Sequence, residues 1–454
     1  MKTIIYTKLS KNKGSPRLFI EGQRLLSSGI KPGQRYNVLY ESVKVVLQFT
    51  DSGERSISKR TRRGREHPVI DINNRSLERL ASCGRVRIII SCDCITITVH
   101  HHDRKSKART QRLFGMLNSD RPLEMVSLAH GAGIMDHAIH QGLVDIGIPV
   151  RLAAAIEVEE RYIEASLTNN PVWDDQSVAI HAPMQEVELD KIGECDLLCA
   201  GLPCTGASLA GRAKNKLNIA EEHSTAGALF FTFINAVNML NPSVIILENV
   251  PAYQTTASMT VIRSVLHTLG YTVHETILNG NALGAIENRD RFVMVGVTQA
   301  LEGFNADMIQ SVRSKETSIN QILSDVPADS DRWRTYQYLH DKAQKDAAAG
   351  KGFKRQLLNG SEESCGTIGR GYKKARSTEP FLVHPDTGLQ RLFTPEEHAR
   401  LKAVPEFLVE GLSETVAHEV LGQSVIHSAF VALGRLIGNT IGDLACLQED
   451  KAIS

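Results

Sequence analysis

At 454 residues the chain is too long for one ordinary hydrophobic core, and with 42% hydrophobic and 23% charged residues it has a folded globular composition, which excludes a disordered or fibrous chain. No apolar run reaches membrane-spanning length, the first eight residues hold too short an apolar stretch for a secretory signal, and eight dispersed cysteines do not form a disulfide framework, so a cytoplasmic setting without a membrane partner is expected. The net charge of +1 hides an asymmetry: residues 1–120 carry 24 Lys+Arg against 10 Asp+Glu, leaving a net −13 for the rest, and such a division points to nucleic-acid contact on the basic part.

Residues 1–104 read as a basic, β-rich domain. Pro16, Leu25, Tyr36 and Val38 recur as Pro68, Leu77, Ile88 and Ile90, an internal repeat at an offset of 52. Each copy predicts a strand, a short Leu-bearing helix, a glycine turn and alternating strands such as Cys94–Val99, so two copies close one small barrel. The densest basic point is Lys59-Arg60-Thr61-Arg62-Arg63-Gly64-Arg65. The segment from Arg17 through Gly33 resembles the swapped-hairpin AbrB-like and SymE-like domains, which implies a DNA-binding module. His100-His101-His102 is not taken as a metal site, because adjacent strand positions face opposite sides, and no metal is expected. The polar, basic residues 105–121 are expected to be a linker.

Residues 122–300 show the rhythm of an α/β unit. Leu123 to Ala129 predicts a strand, His130-Gly131-Ala132-Gly133 a tight turn that lets backbone approach a ligand, and Met135 onward a helix whose free N–H groups face that turn. Ala153-Ala154-Ala155-Ile156-Glu157 ends a second strand in a carboxylate, placed as in βαβ units that hold ribose hydroxyls. The apolar run Leu197-Leu198-Cys199-Ala200-Gly201 delivers Pro203-Cys204 to a loop at a strand's carboxyl edge, where ligands of open sheets collect. The glycine-bearing polar segment 208–225 follows as a mobile loop. Val244-Ile245-Ile246-Leu247 ends in Glu248-Asn249-Val250, and Arg289 and Arg291 precede another strand on alternate positions, so thiol, carboxyl and guanidinium are expected to converge.

In this order and spacing, these motifs resemble those of the cytosine-C5 DNA methyltransferases: Pro203-Cys204, Glu248-Asn249-Val250, Arg289-x-Arg291, the glycine loop at 129–133, Arg391-x-x-Thr394-x-x-Glu397-x-x-Arg400-Leu401 and Gly422-Gln423-Ser424-Val425. The resemblance covers residues 123–438 and implies a Rossmann-like methyltransferase domain dependent on S-adenosyl-L-methionine, held by Ala129, His130, Gly131, Gly133, Glu157, Val158, Pro203, Gln423 and Ser424. It implies an irregular target-recognition domain at 301–389, where Arg and Lys would read guanine edges and Thr367-Ile368 would approach the target base. Residues 390–454 would complete the catalytic domain, and Tyr336 and Tyr338 read as half-buried strand residues. Double-stranded DNA is the implied partner, with a cognate restriction endonuclease as a further one in a restriction-modification system.

The chemistry accounts for the residue types. C5 of cytosine is a poor nucleophile until a thiolate adds to C6, which is the role expected of Cys204. A protonated Glu248 would meet the density pushed onto N3, and Arg289 and Arg291 would support the ring carbonyl and the thiol electrostatically. The base must be swung out of the duplex first. Two rival readings stand: an RNA (tRNA) cytosine methyltransferase using the same site, and a non-catalytic DNA-binding regulator, the latter because Ala129 and Thr205 depart from the family pattern.

Overall fold

The protein is described by a computed structural model covering residues 1–42, 44–81, 85–119, 121–203, 227–350 and 355–453. It divides into two compact units, Met1–Ala108 and Arg109–Ser454.

The first unit is built of two antiparallel sheets. One runs in the order Thr3–Lys8, Arg85–Ile90, Cys94–Val99, Lys44–Phe49, Arg35–Tyr40, Arg55–Ser56. The other runs Ser10–Asn12, Ser15–Glu21, Arg65–Asn73, Ser58–Arg62. Each order reads the same from either edge when the halves of the sequence are exchanged. Alternation supplies the core, as in Arg85–Ile90 where Val86, Ile88 and Ile90 point inward to Leu18, Leu47, Ile72 and Ile97. The repeated Leu25 and Leu77 are both fully buried in short helical turns. The arginine-rich stretch forms a β-hairpin, Ser58–Arg62 paired with Arg65–Asn73.

The expected linker is largely helix, His101–Leu117. Its polar composition concealed an inward stripe at helical spacing, Arg109, Leu113 and Met116, all buried. Arg109 donates to Asn241 Oδ1 (3.2 Å), Thr298 Oγ1 (3.1 Å) and the carbonyls of Leu269 (2.9 Å) and Gly270 (3.0 Å), and lies 3.8 Å from the Tyr271 ring centroid. Such a buried cation is tolerated because its donors are met.

The second unit centres on a seven-stranded sheet: β1 Leu123–Leu128, β2 Val150–Glu157, β3 Val178–His181, β4 Leu197–Gly201, β5 Val244–Asn249, β6 Tyr271–Asn279 and β7 Asp290–Thr298. Their spatial order is β3-β2-β1-β4-β5-β7-β6, with β1 to β5 parallel and β7 antiparallel to both neighbours. The strands are near-continuous Val, Ile, Leu and Ala because both faces are covered, each by its own apolar cluster. The order reverses between β1 and β4, and beyond the carboxyl ends of strands at such a reversal is where ligands bind. The helix His427–Ile453 packs against Ile134–Val144, and a Cβ on Gly142 would stand 2.3 Å from the Val431 carbonyl oxygen, so glycine is needed there for the helices to approach.

Residues 301–389 hold 3-10 turns, the helix Gln337–Ala348 and strands of a three-stranded sheet around Ile319, Ile322, Leu382 and Phe393. Tyr338 departs from expectation: it lies in that helix, exposed, with its hydroxyl donating to the Ala375 carbonyl at 2.9 Å, and Tyr336 caps the helix. Thr394 and Glu397 form a reciprocal capping box at the helix Pro395–Leu401, and Arg391 grips Glu397 by two buried bonds of 2.6 and 2.8 Å. Among the described residues no single helix is long and apolar enough to cross a membrane.

Candidate active site

Neighbouring parallel strands bring the first polar groups together. Gly201, the last residue of β4, lies in register with Glu248 of β5, where the apolar run Val-Ile-Ile-Leu gives way to Glu-Asn. Glu248 Oε1 accepts from Arg291 Nε at 2.8 Å across from β7. Its other oxygen faces Gly201, where a Cβ would lie 3.7 Å away and equally 3.7 Å from the Ala129 carbonyl oxygen. Carboxyl, β4 terminus and glycine loop therefore share one place. Burial pushes the Glu248 carboxyl up, against the pull of Arg291, Arg289 and Lys402.

Cys204 and the loop 208–225 lie outside the described residues, which reach an exposed Pro203. The approach to the thiol is nonetheless anchored. Asn249 Nδ2 donates to the Leu202 carbonyl at 3.1 Å, while its Oδ1 accepts from the Val250 backbone at 2.8 Å. Asn249 was legible as part of a motif, but its role as a clamp on the neighbouring strand was not.

The expected pairing of two arginines on one strand face does not occur. β7 begins at Asp290, and Arg289, 2% exposed, turns away to donate to Glu287 Oε1 (3.3 Å) and the carbonyls of Ile368 (3.2 Å) and Gly422 (3.0 Å). It fastens the segment before Gln423 to the segment around Ile368, leaving Arg291 as the guanidinium on Glu248. Ile368 is likewise fully buried, so its side chain is not available to a base, although Thr367 is exposed.

On the glycine-loop side, Ala129, Gly131 and Gly133 all have positive φ (55°, 60° and 71°), and nothing lies within 4 Å of a Cβ on Gly131. Glu157 accepts from the backbone N–H groups of Gly131 (2.6 Å), Val158 (3.0 Å) and Glu159 (2.9 Å), which fixes its carboxylate while leaving acceptor capacity on a group with about four lone-pair sites. Val158 is 62% exposed beside it. An open backbone turn with a fixed acceptor at the adjacent strand end fits a ribose-bearing cofactor. His130 contributes only backbone to that space: its ring is buried, with Nε2 2.8 Å from Ser166 Oγ and Nδ1 2.8 Å from Asp136 Oδ2.

Gln423 is exposed, whereas Ser424 Oγ donates to the Leu421 carbonyl at 2.8 Å and the Ser424 carbonyl accepts from Lys402 Nζ at 3.2 Å. Lys402, fully buried and 3.5 Å from Glu287 Oε2, went unremarked in the sequence. Burial pulls its pKa down to about 7. The only available signal was a lysine set among apolar Leu401, Ala403 and Val404. A further cleft is lined by Arg332, Arg334, Lys373, Lys374 and Tyr336 together with Asp331 and Glu414, and Glu414 pairs with both Arg332 and Lys373.

The three histidines do not lie on opposite faces of a strand, as alternation had implied. The strand ends at Val99 and a helix starts at His101, so the rings of His100, His101 and His102 gather, with possible ligand atoms within 4.8 Å of one another. Burial, and after it the charges of Arg104, Lys105, Arg85 and Arg87, lower the His101 pKa and disfavour its imidazolium.

Comparison with known proteins matches this chain at residues 123–439 to the model of the C-5 cytosine-specific DNA methylases. Among relatives, it is 28% identical over 254 residues to Type II methyltransferase M1.ScrFI of Lactococcus lactis subsp. cremoris, covering 54% of this chain and 62% of that one. It is 26% identical over 303 residues to M.HpaII of Haemophilus parainfluenzae, covering 60% and 83%. The chain thus spans less than two thirds of M1.ScrFI. In fold it is similar to the S. pombe Dnmt2 methyltransferase, with a TM-score of 0.56 at 19% identity, covering 71% of this chain and 99% of that one. With the family match running the length of the sheet and on through the helices that close it, the chain belongs to the C-5 cytosine-specific DNA methylases.

Proposed function

We propose that the protein methylates C5 of a cytosine swung out of duplex DNA, with Cys204 adding to C6 of the ring. The observation that carries the reading is the meeting of Gly201 and Glu248, at the carboxyl ends of β4 and β5, with Arg291 at the start of antiparallel β7, just before Pro203-Cys204. S-adenosyl-L-methionine, bound along Gly131, Glu157 and Val158, would supply the methyl group. Glu248, whose carboxyl burial pushes up against the pull of Arg291, donates a proton to N3 as the thiolate adds, and Arg291 holds that carboxyl in place. Asn249 holds the chain entering the nucleophile loop through the Leu202 carbonyl. Addition breaks the ring's aromaticity and makes C5 the attacking carbon; loss of the C5 proton then expels the Cys204 sulfur. Duplex DNA is favoured over RNA by the family and by relatives that are Type II methyltransferases. Arg334 and Lys374 of the cleft beside Glu414 supply phosphate or base contacts, and the basic first unit supplies a further DNA contact.

The test is covalent trapping. A duplex bearing 5-fluorocytosine, with S-adenosyl-L-methionine, should leave a denaturation-resistant adduct on the wild-type chain and none on Cys204→Ser. Absence of adduct on the wild type at every duplex sequence tried would overturn the reading, and adduct on RNA alone would transfer it to the rival substrate.

A further inference from the structure

The central strands of the four-stranded sheet pair Phe19 with Asp71 and Ile20 with Ile70. Phe19 and Asp71 are separated by the repeat offset of 52, so the repeat's two-fold axis passes through this pair. A hairpin leads into each of these strands, the second two residues longer than the first, so that the tips stand 50 rather than 52 positions apart. Asn12 pairs with Ser15 around Lys13-Gly14, and Arg62 with Arg65 around Arg63-Gly64. Both tips place a non-glycine residue at positive φ, Lys13 at 50° and Arg63 at 49°, followed by glycine at 79° and 71°. Two-residue turns of this kind favour Asn, Asp or Gly at the first position because a Cβ is strained at positive φ and only these residues adopt it readily. Strain retained at equivalent positions, each time by an exposed cation, signals a use for that cation.

The register also sets a spacing. Continuing it, Arg65 stands level with residue 25, ten residues along from Ser15, which at about 3.3 Å per residue is roughly 33 Å between the hairpin bases. One turn of B-form duplex is about 34 Å. Basic tips are the natural contacts for phosphates, and a two-fold pair of them matches the dyad of a duplex.

We propose that Lys13 and Arg63 are paired phosphate contacts that let this unit of a single chain hold two points about one turn apart on duplex DNA. This rests on the reading of the protein as a DNA enzyme and adds to it a second, sequence-independent grip.

Lys13→Gly and Arg63→Gly test it, since glycine relieves the backbone while deleting the charge. Binding of the full-length chain to a 24-base-pair duplex of A·T pairs only, followed by fluorescence anisotropy across salt concentrations, removes capture of a target cytosine from the signal. Each variant should melt no lower than wild type, yet lose several-fold affinity at low salt, with the slope of log K against log salt falling by about 0.9 for each and about 1.8 for the double variant. An unchanged slope in either variant overturns the proposal, as does an equal loss on double-stranded RNA of the same length. Trapping on 5-fluorocytosine duplex at low salt, run on the same proteins, separates the outcomes: adduct formation with unchanged slopes sinks this inference alone, and no adduct on the wild type sinks the enzyme reading.

Discussion

Replacing Lys402 by methionine exchanges a buried ammonium for a neutral chain of similar length. In the folded protein Lys402 titrates near 7, pulled down first by burial and further by Arg289 and Arg291, with Glu287 opposing; unfolded, a lysine titrates at about 10.4. Between those values the unfolded chain binds more protons than the folded one, so wild-type stability rises with pH across this window and is lost as pH falls toward 7. At about 1.4 kcal/mol per unit, going from pH 7 to 9 stabilises the wild type by roughly 2–3 kcal/mol through this group alone. Lys402→Met removes that slope, and also loses the bond to the Ser424 carbonyl, about 1 kcal/mol, and the contact with the buried Glu287 carboxylate. Urea unfolding of both proteins at pH 7, 8 and 9 reads the effect as a difference of slopes, so that other titrating groups cancel. The reasoning fails if the two proteins gain equally from rising pH.

Glu248→Gln keeps the side chain's shape but removes its acid proton, and kcat should fall by about 10²–10⁴ with adduct formation slowed to match, measured by single-turnover methyl transfer. Arg291→Met removes a group that draws the Glu248 carboxyl down, so the alkaline limb of kcat should move to higher pH as activity drops; a limb that stays put would detach Arg291 from Glu248. Gly131→Ala puts a side chain at φ 60°, costing about 1–2 kcal/mol in denaturant unfolding while weakening S-adenosyl-L-methionine binding by calorimetry more than a remote mutation of equal instability. Asn249→Ala frees the Leu202 carbonyl and should lower kcat while the S-adenosyl-L-methionine Kd, measured by calorimetry, stays unchanged.

The sheet was legible because it is written in the plainest terms: unbroken runs of Val, Ile, Leu and Ala that stop at a glycine or a carboxyl group. Glu248 and Glu157 could be read for the same reason, as the first charges after such runs. What escaped depends on contacts between distant segments. Arg289 and Arg291 differ only in where β7 begins, and alternation cannot tell that one reaches Gly422, 133 positions on, while the other reaches Glu248. The helix His101–Leu117 was hidden because an inward arginine counts as polar in any composition window, though this one is 1% exposed. His130 looked like a loop residue available to ligand, and only the fold reveals Ser166 and Asp136 waiting for its ring.

That helix bears on how the protein can be cut. A boundary drawn at residue 121, where composition turns from basic to apolar, would amputate Arg109 and Arg112, stripping Asn241, Thr298 and the Leu269 and Gly270 carbonyls of their donor and leaving Asp196 with only Arg121 of its two arginine partners. A fragment begun there would carry all the family's motifs and still be missing a keystone of its own sheet, so a dead fragment would say nothing about whether the first unit takes part in catalysis. Truncations that keep the chain from residue 101 onward retain the Arg109 and Arg112 contacts, and make that question answerable.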